Sequence, residues 1–198
     1  MSLLKAYLFI FIILLVDQIS KIYIKTHFVL GEEVEVLSWF KILFIENEGM
    51  AWGTKIPGEF GKLFLTLFRI AAVGGIAWWL ADVIKKRSST ILIAAVALIL
   101  AGAAGNIIDS VFYGVVFDSS EHQVATAFSA NPYGTWFHGK VVDMLYFPIW
   151  SGILPSWLPI WGGTYFTFFN AIFNIADMAI STGVGMLLVF NKKAFPNG

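Results

Sequence analysis

Four apolar stretches organise the chain, running from about Leu3 to Ile24, Leu63 to Ile84, Ile91 to Phe112 and Tyr165 to Phe190. Each is close to or beyond the about 20 helical residues that cross a bilayer, so the pattern predicts four transmembrane helices. The links between them differ in kind. The second and third stretches are joined by a short basic link, whereas the other two connections are long. In the first, about residues 29–62, the segment EVEVLSWFKILFI from Glu33 to Ile45 alternates roughly with period two. It is rich in β-branched and aromatic residues and is followed by the turn-like ENEG, which predicts a small sheet lying on the membrane. In the second, about residues 113–164, the later half LYFPIWSGILPSWLPIWGG is crowded with Trp and Pro. Trp favours the headgroup level and repeated Pro interrupts helices, so an interfacial segment is expected there. No repeat divides the chain. The expectation is one integral-membrane domain over 1–198, an all-α membrane fold with a small attached β-sheet.

Composition agrees with that pattern. Of 198 residues, 58% are hydrophobic and only 13% charged, with mean hydropathy +0.77. There is no Cys, which excludes a disulfide framework, a thiolate metal site and a cysteine nucleophile. The 13 basic and 13 acidic residues cancel, so overall charge gives no reason to expect a nucleic-acid partner. The first stretch has the look of a cleaved signal peptide, but Asp17 and Lys21 interrupt the place where small residues would mark cleavage, and further spans follow. It reads as a retained helix. Lys5, the Lys85-Lys86-Arg87 link and Lys192-Lys193 mark the cytoplasmic side, which puts both termini inside and the two long connections outside. Those outer connections also hold Lys25, Lys41, Lys55, Lys62 and Lys140.

Polar residues inside the spans carry the functional signal. At about 1.5 Å rise per residue, Asp17 stands roughly 21 Å up the first span and Asp109 roughly 27 Å up the third. Asp177 stands about 18 Å into the fourth, whose aromatic start belongs to the interface. Three helices thus direct carboxylates toward one level near the outer surface. Gly102, Gly105, Asn106 and Asp109 share one face of the third span, with the glycines permitting close approach. Asn170, Asn174 and Asp177 recur at i, i+4 and i+7 and predict one polar face on the fourth. Asp17 and Lys21, at i and i+4, can pair as a structural ion pair. Asn106 and Asn170 have two open readings, interhelical hydrogen bonding or the lining of a cleft. An ionisable residue such as Asp177 inside a span is costly and points to function. His27, His122 and His138 read as surface residues. Asp118, Glu121 and His122 read as a solvated loop, with a metal site as the alternative.

Five motifs in order, DQISK (17–21), NEGMAWG (47–53), GNIID (105–109), VVD (141–143) and FNIAD (173–177), resemble those of the lipoprotein signal peptidases, or signal peptidase II. These are aspartic endopeptidases of the bacterial membrane. The resemblance implies that Asp143 and Asp177 are a catalytic dyad. It implies that Asn47, Gly49, Asn106, Asp109, Asn174 and Ala176 bind substrate, and that Asp17, Lys21 and Gly105 support the site, with no metal or cofactor. The implied substrate is a prolipoprotein whose Cys bears diacylglycerol, cut just before that Cys, with membrane lipid as the other partner. The implied location is the bacterial inner membrane, with the active site near the extracytoplasmic face.

Three departures stand out. Ser110 follows GNIID where the family usually has Arg, so a cation such as Lys140 is a candidate replacement. Trp52 stands where Phe is usual, and the connection 113–140 is longer than the family minimum. Two rival readings make distinct predictions. A transporter or ion pathway needs polar residues through the full membrane depth, yet the inner halves of the spans hold almost none beyond Arg69 and Asp82. A purely structural subunit would tolerate Glu at Asp143 or Asp177.

Overall fold

Helices of spanning length form over the first three apolar stretches. The computed structural model describes residues 1–48 and 60–195. Helix α1 (Leu3–His27) starts at Ser2, whose hydroxyl accepts from the Lys5 amide at 3.4 Å, and ends with Lys25 and His27 against its negative pole. Helix α2 (Gly61–Lys85) leads through a tight turn, with Arg87 in the left-handed region at φ 54°, to helix α3 (Thr90–Ile108). Ser89 caps α3 through the Leu92 amide. A π-helical turn (Asp109–Tyr113) and a short helix α4 (Gly114–Val116) carry α3 onward. Large apolar side chains on α1, among them Phe11, Leu15 and Ile19, are about half exposed or more, a surface stable only in an apolar surrounding.

The fourth apolar stretch is a correction to the sequence expectation. It divides into strands β5 (Tyr165–Phe168) and β6 (Ile172–Phe173) before helix α5 (Ile175–Val189), with a last short turn α6 (Asn191–Ala194). Among the described residues three helices are long and apolar enough to cross a membrane by length and composition, and α5 is a shorter apolar helix of 15 residues. The reason lies in the residues. Tyr165–Phe173 is aromatic and β-branched and finds strand partners, and Asn174 forms a capping box with Asp177 that fixes where the helix begins. Asn170 therefore lies in the β5–β6 link, accepting from the Tyr146 hydroxyl, and does not share a helix face with Asn174.

The first long connection forms a sheet, as its alternation predicts. Strands β1 (Glu33–Leu37), β2 (Phe40–Asn47), β3 (Val141–Tyr146) and β6 lie in the order β1-β2-β3-β6, every pair antiparallel. A separate hairpin pairs β4 (Trp150–Ile153) with β5. One apolar core joins α1, α2, α3 and α6 through Ala6, Ile10, Leu80, Val96 and Ala194. Another joins the end of α1 to the sheet through Ile24, Phe44, Tyr113, Val142 and Met144. Helices α3 and α5 touch so closely that a Cβ on Gly102 would fall 2.2 Å from the Ala176 carbonyl oxygen.

Lys25 belongs to α1 and not to the outer connection. Its ammonium is buried, pairs with Glu46, donates to Ser120 at 2.9 Å and lies 4.8 Å from the Tyr133 ring centroid. The long connection 113–140 is thereby held down. Ser120 also donates to Glu46, the Tyr133 hydroxyl oxygen accepts from the Lys140 amide, and Thr66 of α2 donates to the Phe137 carbonyl.

Candidate active site

Register and capping bring the polar residues together. Asn47 pairs with Val141 across β2–β3, and Val141 and Asp143 alternate onto one face, so Asn47 stands diagonally beside Asp143. Its side-chain amide donates to Asp143 Oδ2. On the other side, Asn174 Nδ2 donates to Asp143 Oδ1 at 2.7 Å, to Asn106 Oδ1 at 3.1 Å and to the Val142 carbonyl at 3.2 Å. The Oδ1 of the same Asn174 accepts from the Asp177 amide at 2.9 Å, while Asp177 Oδ2 accepts from the Asn174 amide at 3.3 Å. Asn106 Nδ2 then donates to Asp177 Oδ1 at 2.8 Å. Asn174 is thus both the cap of α5 and the bridge between Asp143 and Asp177.

A charged layer lies behind this network. Lys21 Nζ is 2.9 Å from Asp17 Oδ2 and 2.9 Å from Asp109 Oδ2, and donates to Asn106 Oδ1 at 2.8 Å. Lys21, Asp17 and Asp109 are buried, which is tolerable only because each is paired and hydrogen-bonded. Asp17 Oδ1 accepts from the Ala176 amide at 2.9 Å, satisfying a free N–H in the first turn of α5. Asp109 Oδ2 accepts from the Val142 amide at 3.3 Å, tying α3 to the strand that carries Asp143. Gly105 makes room, since a Cβ there would lie 2.7 Å from Asp17 Oδ2.

Of the residues expected at the site, Asp143, Asp177, Asn47, Asn106 and Asn174 form one hydrogen-bonded group. Asp109, Asp17, Lys21, Gly105 and Ala176 form the layer that holds it. Gly49 lies outside the described residues, as does Trp52. Gln18 is a member that the sequence reading passed over. Its Nε2 donates to Asp17 Oδ2, to Asp109 Oδ1 at 2.9 Å and to the Gly105 carbonyl, and its Oε1 accepts from Tyr113. The available signal was a Gln between two recognised positions of DQISK inside an apolar span. Lys140 does not take the place of the family's Arg beside Asp109. It is 3.6 Å from Glu46, while Ser110 turns its hydroxyl to the Asn106 carbonyl. Among the described residues no group of three or more His, Asp or Glu has metal-holding geometry, and Asp118 instead accepts from the Thr126 amide.

Burial separates the two aspartates. Asp143 is 4% exposed, and burial together with the charge on Asp177 pushes its carboxyl up to about 7, against the opposing hydrogen bonds of Asn174 and Asn47 and the charge of Lys21. Asp177 is only half-buried. A buried carboxyl raised toward neutrality beside a second carboxyl is an arrangement suited to paired acid and base chemistry.

Comparison with known proteins places this geometry in context. The sequence model of the family described as Signal peptidase (SPase) II matches residues 9–192. A lipoprotein signal peptidase of Porphyromonas gingivalis is 51% identical over 201 residues, covering 96% of this chain and 88% of its own. One from Amoebophilus asiaticus is 38% identical over 186 residues, covering 90% of this chain and 73% of its own. A solved structure described as a bacterial membrane enzyme, determined by the in meso method at 2.3 Å resolution, superposes with a TM-score of 0.65 at 23% identity. That match covers 99% of this chain and 93% of the other, and shows a shared fold.

Proposed function

The chain belongs to the signal peptidase II family of lipoprotein signal peptidases, and from that premise we propose that it is an aspartic endopeptidase whose dyad is Asp143 and Asp177. The observation that carries the assignment is the double role of Asn174, which couples the two carboxyl groups from elements more than 30 residues apart. Asp143, whose carboxyl burial and the charge on Asp177 raise to about 7, enters as the acid. Asp177 enters as the base. It draws a proton from water, and the water oxygen attacks the scissile carbonyl while Asp143 donates a hydrogen bond to the carbonyl oxygen. The tetrahedral intermediate collapses by breaking the C–N bond, with a proton delivered to the leaving amine. Asn47, Asn106, Asn174 and the segment containing Gly49 orient the substrate backbone. Asp17, Lys21, Asp109, Gln18 and the backbone of Ala176 hold the frame.

The substrate is a prolipoprotein with a diacylglyceryl-Cys, cut just before that Cys. Its acyl chains remain in hydrocarbon during cleavage. In this reading the protein lies in the inner membrane as one domain, with both termini cytoplasmic and the sheet on the extracytoplasmic face. Helix α5, packed on α3, makes the fourth crossing. The test is cleavage of a diacylglyceryl-modified prolipoprotein by the purified protein in lipid. Wild type cleaves, Asp143→Asn and Asp177→Asn do not, and a metal chelator leaves the rate unchanged. Full activity in either variant removes the dyad assignment, and loss on chelation removes the metal-free mechanism.

A further inference from the structure

Between Asp143 and Asp177 no residue is charged, and the chain there is dominated by Trp, Phe, Ile and Pro. Its centre is the β4–β5 hairpin. Successive strand residues point to opposite faces, yet Tyr165 and Phe166 are both exposed, as are Trp150 and Ser151, so the protein covers neither face. The tip is barer still, with Trp157 at 77% and Ile160 at 90% exposed. A lone two-stranded hairpin is marginal in water, and this one displays aromatic residues on both sides.

Much of its backbone is hydrogen-bonded internally. Leu154 and Thr164 bond N–H to O across the neck, Gly163 returns to Leu154, Gly162 to Leu158 and Leu158 to Pro155, and Pro155 and Pro159 have no N–H to satisfy. Ser151 and Thr167 pair their hydroxyls across the strands at 3.1 Å. Tied-off backbone, absent charge and exposed Trp and Tyr together describe the boundary between headgroups and acyl chains. The hairpin is also continuous with the membrane-facing helices, because β5 runs through β6 directly into α5.

We propose that residues 148–169 form a bracket immersed in the outer leaflet of the bilayer, which sets the height of Asp143 and Asp177 relative to the lipid. Its two legs are the strands next to the site. Leu145 pairs with Phe173 and Tyr146 with Ile172, so one leg starts two residues after Asp143 and the other ends one residue before Asn174. An aromatic base stiffens the junction, with Phe147 stacked on Phe40 at 4.7 Å and on Phe173 at 5.6 Å between ring centroids. The choice of leaflet and the link to cleavage rest on the function proposed above. Immersion itself does not.

Because the chain has no Cys, single-Cys variants accept a nitroxide label at one site. Ile160→Cys, Phe11→Cys on the lipid-facing surface of α1 and Glu121→Cys in a polar loop are compared in phosphatidylethanolamine/phosphatidylglycerol vesicles by power saturation. The expected result is that the label at 160 relaxes more with oxygen than with a water-soluble nickel chelate, at a depth between the other two. The same depth is expected in neutral phosphatidylcholine vesicles, since no charge holds the hairpin. A label at 160 as open to nickel as that at 121, or immersion that vanishes without anionic lipid, overturns the proposal. In parallel, Trp157→Ser with Trp161→Ser raises KM several-fold for a vesicle-embedded lipidated substrate and leaves kcat within about two-fold. An unchanged KM overturns the link to the site. Cleavage lost with immersion intact would indict the functional reading alone, and immersion lost with cleavage intact would indict this one alone.

Discussion

The buried carboxyl of Asp143 makes Asp143→Asn a substitution whose effect on stability changes sign with pH. The folded pKa is about 7 and the ordinary value 3.8. Between those limits the native protein holds a proton that the unfolded chain has released, so wild-type stability falls as pH rises through the window. At about 1.4 kcal/mol per pH unit, three units amount to roughly 4 kcal/mol lost by pH 7 and above. Asn has no charge and escapes that loss. It incurs another, because both Asp143 oxygens accept from amide donors, Nδ2 of Asn174 on one and Nδ2 of Asn47 on the other. An Asn side chain offers one acceptor oxygen, so one buried donor is left unsatisfied at about 1–3 kcal/mol. Asp143→Asn is therefore expected to be less stable than wild type at pH 4 by about 1–3 kcal/mol. It should be more stable at pH 8 by a similar amount, with the crossing between about pH 4.5 and 6. Reversible unfolding in mixed micelles, followed by circular dichroism at half-unit steps from pH 4 to 9, reads this out without reference to catalysis. A difference that stays constant over the range would refute the placement of Asp143 as a buried acid crowded by Asp177.

Other outcomes follow from single contacts. On the proposed mechanism, with Asp143 as the acid, cleavage should decline as pH rises through about 7; a pH profile of kcat in lipid checks this. Asn174→Ser keeps an N-cap for α5 and should retain most stability, whereas Asn174→Ala loses about 1 kcal/mol more; both lose the bond to Asp143, so both should drop in kcat by at least ten-fold, and parallel melting and rate measurements separate the two roles. Lys21→Met leaves Asp17 and Asp109 buried without their cation and should cost about 3–5 kcal/mol in the same unfolding assay. Gly102→Ala should lower the melting temperature because its Cβ would meet the Ala176 carbonyl oxygen, while Gly74→Ala, with nothing within 4 Å, should hold or raise it.

Much of this protein is written locally. Length and hydrophobicity of continuous runs locate α1, α2 and α3, because a helix satisfies its own backbone and depends on nothing far away. Alternation locates β1 and β2 because they pair with each other across a short turn, and the i, i+4 spacing of Asp17 and Lys21 anticipates their pair. Tertiary structure decided the rest. Hydrophobicity cannot distinguish a buried strand from the start of a helix, so the run from Tyr165 was assigned to a span until β3 and the Asn174 cap divided it. Asp143 stands in a segment with no helical period, and only the β2–β3 register and the Asn174 bridge bring it to Asp177. Lys25, assigned to an outer connection, is buried because Glu46 and Ser120 reach it from distant parts of the chain. Periodicity reports which face a side chain takes within its own element. Which carboxyls stand together depends on partners that no local pattern contains.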